Sequence, residues 1–208
     1  MLEPDDTQRT TDSARPPDPS APVANSPIVA FLVAPEGVEQ VELVTPWHAV
    51  VDAGARPRLI STQLGEIQAF NGLDRADTFP VDQSVDDVDT TEFSALVLPG
   101  GVANPDYLRI QPGALALVRD FFERGLPVAV ICHGAWTLID AGVVGDRDIT
   151  SWPSLATDLR NAGAKWVDEE VVVCRNGPNT LISSRKPDDL TSFCAILVDA
   201  LRRETARA

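Results

Sequence analysis

The sequence predicts an α/β fold, a single domain built on a mainly parallel β-sheet with helices on both faces. Three observations predict it. Strand-length apolar runs, such as PIVAFLVA at 27–34 and LPVAVI at 126–131, alternate with helix-like segments. Several runs are apolar throughout, as strands covered on two faces are. Two of them end in glycine-bearing corners, LPGG at 98–101 and ICHG at 131–134, and in such sheets ligands gather outside the carboxyl ends of the strands. The two corners are therefore expected to converge on one cleft.

Taken in order, residues 1–26 are acidic and rich in Pro, Ser and Thr. They carry too little apolar surface to offset the entropy of ordering, so a disordered tail is expected. The domain spans 27–202 and a short C-terminal tail 203–208. After the first strand, VEQVELVTPWHAVVDAGA reads as a helix stopped by Gly54. RPRLIST at 56–62 reads as a strand, and 63–93 as a polar, turn-rich stretch with extended pieces such as EIQAFNG. FSALVLPGG is another buried strand.

PGALALVRDFFERG at 112–125 predicts an amphipathic helix. Pro112 sits in its first turn, Gly125 lies past its end, and Leu115, Val118, Phe121 and Phe122 form the stripe. AWTLIDAG is a helix directly after the ICHG corner. SLATDLRNAGA is a short helix with Ser154 as N-cap. WVDEEVVVC and NTLISSR form a strand pair joined by RNGPN. The last helix starts near Pro187 and buries Leu190, Phe193, Cys194, Leu197 and Leu201 at spacings of three and four.

Composition narrows the function. Seventeen Lys and Arg face 31 Asp and Glu, a formal net charge of -14. Such a surface repels nucleic acid and anionic membranes, so neither is an expected partner. Three cysteines, Cys132, Cys174 and Cys194, make no disulfide framework, and none has zinc spacing with His48 or His133. No metal and no cofactor are expected. The N-terminus has neither the basic start nor the apolar core of a secretory signal. A cytoplasmic protein with reduced thiols is the expectation.

The ICHG corner carries the chemistry. A free cysteine often does no more than fill space. Cys132, however, stands where a strand turns into a helix, and unpaired N–H groups there favour a thiolate. The arrangement matches the nucleophile elbow of hydrolases with Cys in place of Ser. The N–H of His133 would face a developing oxyanion, and Gly101 would supply a second donor. Cys174 and Cys194 read as packing residues, and His48 as structural or surface.

Five stretches carry a resemblance: VICHGAWTLIDAGVV, TSWPSLATDLRNAGAKWVDEEVVV, SSRKPDDL, GVEQVELVTPW and LPGGVANPDYLR. They resemble the PfpI family of intracellular cysteine peptidases in the DJ-one superfamily, which shares its fold with class I glutamine amidotransferases. The likeness covers about residues 27–202 and implies a flavodoxin-like three-layer sandwich. It implies Cys132 as nucleophile with His133 beside it. Glu42 is implied as a buried carboxyl on the thiol, its pKa raised so that it is protonated and donates to a thiolate. Gly100 and Gly101 are implied on the oxyanion side, and Trp152 near the cleft. Asp106 matches an acid that a neighbouring subunit brings to the histidine; it is one methylene shorter than the Glu of the peptidases.

The resemblance implies a homodimer or hexamer. It also implies either small reactive carbonyls and their protein adducts, in glyoxalase or deglycase chemistry, or peptides as substrates. The shorter Asp106 favours the small carbonyls. The alternative is a redox or stress sensor, or a chaperone, built on an exposed, oxidisable Cys132. A glutaminase would need a distant His that this chain lacks.

Overall fold

The computed structural model describes residues 26–206. The expected N-terminal tail therefore lies, but for residue 26, outside the described residues. The chain opens with β1 (Ile28–Leu32), β2 (Glu36–Glu39) and α1 (Gln40–Asp52). β3 (Arg56–Ser61) follows, then the hairpin β4 (Glu66–Asn71) and β5 (Asp74–Pro80), and the two-residue β6 (Gln83–Ser84). β7 (Ala95–Leu98) leads to α2 (Ala103–Leu108) and α3 (Pro112–Glu123). β8 (Val128–Ile131) leads to α4 (Ala135–Ala141). The chain ends with β9 (Asp148–Ile149), α5 (Ala156–Asn161), β10 (Lys165–Trp166), the pair β11 (Val171–Cys174) and β12 (Leu181–Ser184), and α6 (Leu190–Thr205).

The main sheet has the order β11-β12-β8-β7-β1-β3-β6. Every neighbouring pair in it is parallel except β11 with β12. Alternation along the central strands divides the core. Ala30, Leu32, Leu96, Leu98, Val128 and Val130 pack on one face, under α3, α4 and α5. Val29, Phe31, Ala95, Val97, Ala129 and Ile131 pack on the other, under α1 and α6. This is the expected three-layer architecture. The carboxyl ends of β1, β7 and β8 lie side by side, which sets the place of the site.

The structure departs from the expected elements at several points. Val38 and Glu39, expected to open the helix, belong instead to the strand Glu36–Glu39, because it pairs with β4 in a second sheet, β2-β4-β5. Ser154 caps nothing: a 3-10 turn occupies Pro153–Leu155, and Leu155 precedes α5. On α3, Ala114 and Leu117 are buried with Val118, Phe121 and Phe122, while Leu115 is only partly covered. The segment 166–174 is two strands, since β10 pairs with β9 and β11 with β12. The last helix continues to Thr205, past the boundary at 202. Its five expected core residues are all buried.

Cys174 is buried beneath a buried arginine, and it does pack as expected. Arg147 donates from Nε to Cys174 Sγ at 3.3 Å, and from Nη1 and Nη2 to the side-chain and backbone oxygens of Asn179, each at 2.9 Å. This ties down the RNGPN turn at the end of the sheet opposite the cleft. Among the described residues, no helix is long and apolar enough to cross a membrane.

Candidate active site

β8 delivers Cys132 to the carboxyl end of the sheet. Cys132 adopts φ 61°, a left-handed conformation that costs a residue with a side chain about 1–2 kcal/mol. A 3-10 turn over Cys132–Gly134 then passes into α4. The Trp152 N–H donates to the Cys132 carbonyl at 3.1 Å and pins the corner. A Cβ on Gly134 would stand 2.7 Å from the Leu98 carbonyl oxygen and 3.0 Å from that of Pro99. Only glycine lets this turn pack against the end of β7. The strained strand-to-helix elbow expected from the sequence is present.

Main-chain donors bracket the sulfur. The N–H groups of His133 and Gly101 lie close enough to it to favour the thiolate. Gly101 has φ 79°, and a Cβ there would collide with the Gly37 carbonyl and lie 2.8 Å from the Glu39 nitrogen. Gly100 serves the neighbouring carboxyl instead: its N–H donates to Glu42 Oε2 at 2.9 Å. A Cβ on Gly100 would lie 2.6 Å from Cys132 Cβ. The loop after β7 can therefore approach the thiol only as Gly-Gly.

Glu42, in the first turn of α1, is fully buried. Its Oε1 has no hydrogen-bond partner, and its carboxyl lies beside the Cys132 thiol. Burial pushes its pKa up to about 7; the thiol and the Gly100 N–H pull the other way, and nearby Glu39 adds repulsion. The direction is the one expected. The thiol itself departs from expectation. Cys132 is only 6% exposed, and burial, then the Glu42 carboxylate, raise its pKa despite the two N–H donors. The helix-start donors lower it, but desolvation outweighs them. Across neutral pH, the pair therefore carries at most one negative charge.

His133 is also buried, which lowers its pKa. Its Nδ1 lies 3.2 Å from Cys132 Sγ. The imidazole is stacked on Trp152, ring centres 5.6 Å apart, and tilted against Trp136 at 5.4 Å. Among the described residues, no carboxylate is hydrogen-bonded to His133. Asp106 is exposed on α2 at the rim of the same cleft as Cys132. His48 is exposed and lies outside that cleft.

The cleft has a volume of about 930 Å³ and joins Glu42, Gly101, Asp106, Cys132, His133 and Trp152. The sequence missed part of its wall: the β4–β5 hairpin supplies Phe70, Leu73 and Arg75. Trp136 was also missed, although its place three residues after His133, one helical turn on, was a usable signal. Asn104 was missed too. Fully buried on α2, it accepts from the Ala34 N–H at 2.7 Å and donates to the carbonyls of Pro99 and Gly100, each at 3.0 Å.

Residues 28–200 match the model of the DJ-1/PfpI family. The chain belongs to the DJ-1/PfpI family. A deglycase of Thermococcus kodakarensis is 42% identical over 172 residues, covering 83% of this chain and 98% of that protein. A putative cysteine protease of Bacillus subtilis is 38% identical over 168 residues, covering 79% and 92%. In fold, the chain is similar to a ThiJ/PfpI domain protein of Brachyspira murdochii, with TM-score 0.77 and 20% identity over 86% of this chain and 99% of that one.

Proposed function

We propose that the protein is a cysteine-nucleophile enzyme of deglycase type, acting on small reactive carbonyls or their adducts with protein side chains. One observation carries the reading. The Cys132 thiol opens into a cleft while held between two main-chain donors and a carboxyl whose pKa lies near neutrality. The deglycase relative at 42% identity supports it.

The geometry suits addition to an aldehyde carbon. Sulfur forms a bond to that carbon, and the π pair of the C=O moves to oxygen. The thiol proton passes to the Glu42 carboxylate. The N–H groups of Gly101 and His133, which bracket the sulfur, stand beside the new oxyanion. In a dicarbonyl, a proton then moves from the attacked carbon to its neighbour, leaving a thioester. Water cleaves the thioester, releasing a 2-hydroxy acid and restoring the thiol. Overall, one dicarbonyl and one water give one hydroxy acid.

Peptide hydrolysis is the second reading, supported by the relative named as a cysteine protease. It needs an acid for the leaving amine, a duty for His133 with an orienting carboxylate. In this reading Asp106 comes from a second copy of the chain, in a homodimer or hexamer. Support comes from the exposed apolar residues flanking it, Val102 at 57% and Ile110 at 71%. The cytoplasm is the compartment in which such a thiol stays reduced.

The test is turnover of the hemithioacetal formed from methylglyoxal and N-acetylcysteine. Wild type releases lactate and Cys132→Ala does not. No lactate from wild type, with Cys132 selectively oxidised by mild peroxide, sinks the enzyme reading in favour of a redox sensor.

A further inference from the structure

Two of the donors that face the Glu42–Cys132 pair, the N–H groups of Gly100 and Gly101, come from a Gly-Gly loop, the segment of backbone least able to hold its own direction. Some other group must fix it. In a trans peptide, the carbonyl of one residue and the N–H of the next point to opposite sides. Holding one carbonyl therefore aims the following N–H. Asn104 holds two in succession. Its Nδ2 grips the Pro99 carbonyl, and the Gly100 N–H across that peptide meets Glu42 Oε2 at 2.9 Å. The same Nδ2 grips the Gly100 carbonyl, and the Gly101 N–H across that peptide faces the Glu42–Cys132 pair, where it favours the charged form of both groups.

The side chain has no slack. Its Oδ1 is taken by the Ala34 N–H just beyond β1, so both amide hydrogens and the oxygen are in use. With Asn104 fully buried, water has no access to replace these bonds. The anchor runs from the end of β1 to the loop after β7.

We infer that Asn104 is a positioning residue: it aims the Gly100 N–H at Glu42 and the Gly101 N–H at the reacting centre of Cys132. Removing it frees the Gly100–Gly101 peptide to turn its carbonyl toward the sulfur, which replaces a donor with an acceptor where the oxyanion forms. The catalytic part of this inference rests on the reading of the cleft as a cysteine-enzyme site. The orientation of the donors does not.

The experiment follows alkylation of Cys132 by iodoacetamide against pH, with mass spectrometry separating it from Cys174 and Cys194. The titrating groups around the sulfur are Glu42 and His133, with Glu39 acting on Glu42. In Asn104→Ala, the alkylation midpoint is expected to move to higher pH. Turnover of the methylglyoxal hemithioacetal is expected to lose kcat by about 100-fold, the effect of one oxyanion donor, with KM little changed. Asn179→Ala is the control. It removes another buried amide, one that bonds Arg147 and the Leu126 carbonyl at the far end of the sheet. It should lower Tm and leave the midpoint alone.

Asn104→Asp, nearly the same shape, serves if the alanine variant does not fold: it keeps the acceptor for Ala34 and loses the donor. An unshifted midpoint in a folded Asn104 variant overturns the inference. If wild type turns over no hemithioacetal, the functional reading fails, and the alkylation midpoint still decides the role of Asn104.

Discussion

Glu42 Oε2 accepts the Gly100 N–H at 2.9 Å, and the next N–H along the chain, that of Gly101, favours the charged form of both Glu42 and Cys132. One turn of backbone thus serves both members of a proton-sharing pair. The carboxyl and the thiol are not independent acids, and their chemistry depends on which of them holds the proton.

That pair gives stability a pH dependence with a definite sign. Glu42 titrates at about 7 in the folded protein, against 4.5 for an ordinary glutamate. The raised value means that folding favours the protonated form. Its contribution is complete below the unfolded pKa and is lost as pH rises through about 7. Glu42→Gln removes this loss. In thermal melts, the Tm of the variant should gain on that of wild type between about pH 5 and about pH 8. A difference that stays constant across that range would show that Glu42 is not the titrating group.

Strain at the elbow can be measured directly. Cys132 holds φ 61°, a conformation open to glycine and costly for alanine. Cys132→Gly should therefore be more stable than Cys132→Ala by about 1 kcal/mol, read from urea unfolding. Both should be without turnover. Equal stabilities would mean that the corner relaxes when the sulfur is gone.

Trp152 is assigned to the imidazole. Trp152→Ala removes the ring stacked on His133, an interaction worth about 0.5–1.5 kcal/mol. It also lets water reach a histidine whose pKa is lowered by burial. The His133 pKa, followed by NMR of the ring protons, should rise toward its ordinary value. If it stays put, burial by Trp152 is not what lowers it.

Asp106 can be tested by mixing. If it serves the site of a second copy, Asp106→Asn and Cys132→Ala are each deficient alone. Hybrids of the two restore sites that combine an intact Cys132 with an intact Asp106. Unfolding and refolding the two together should then recover peptidase turnover, in a particle larger than a monomer by light scattering. No recovery in a confirmed hybrid rejects the shared site.

What the sequence disclosed follows from the range of the interactions. β1, β8, α3 and α6 were legible because their apolar patterns are written within each element. The Cys132–Gly134 corner was legible because its geometry needs those residue types in that order. β2 was not: Glu36–Glu39 become a strand only by pairing with β4 across the chain. Ser154 looked like a cap because its type suits one, but Pro153 begins a 3-10 turn there instead. Asn104 was hidden for a related reason. Its Ala34 partner is brought to it only by the fold, and its bonds back to Pro99 and Gly100 depend on the turn the Gly-Gly loop makes, which nothing in the local sequence marks. Glu42 came from resemblance, since a carboxylate in the first turn of a helix is otherwise expected to face water.

The contact of Gly134 with the carbonyls of Leu98 and Pro99 has a mechanical consequence. The two crossovers that carry the thiol and its donors are locked to each other like the halves of a hinge already shut. Substrate therefore meets the thiol and its donors already side by side once it has passed the doorway of the cleft. The protruding tip of the β4–β5 hairpin, with Leu73 97% exposed, stands at that doorway.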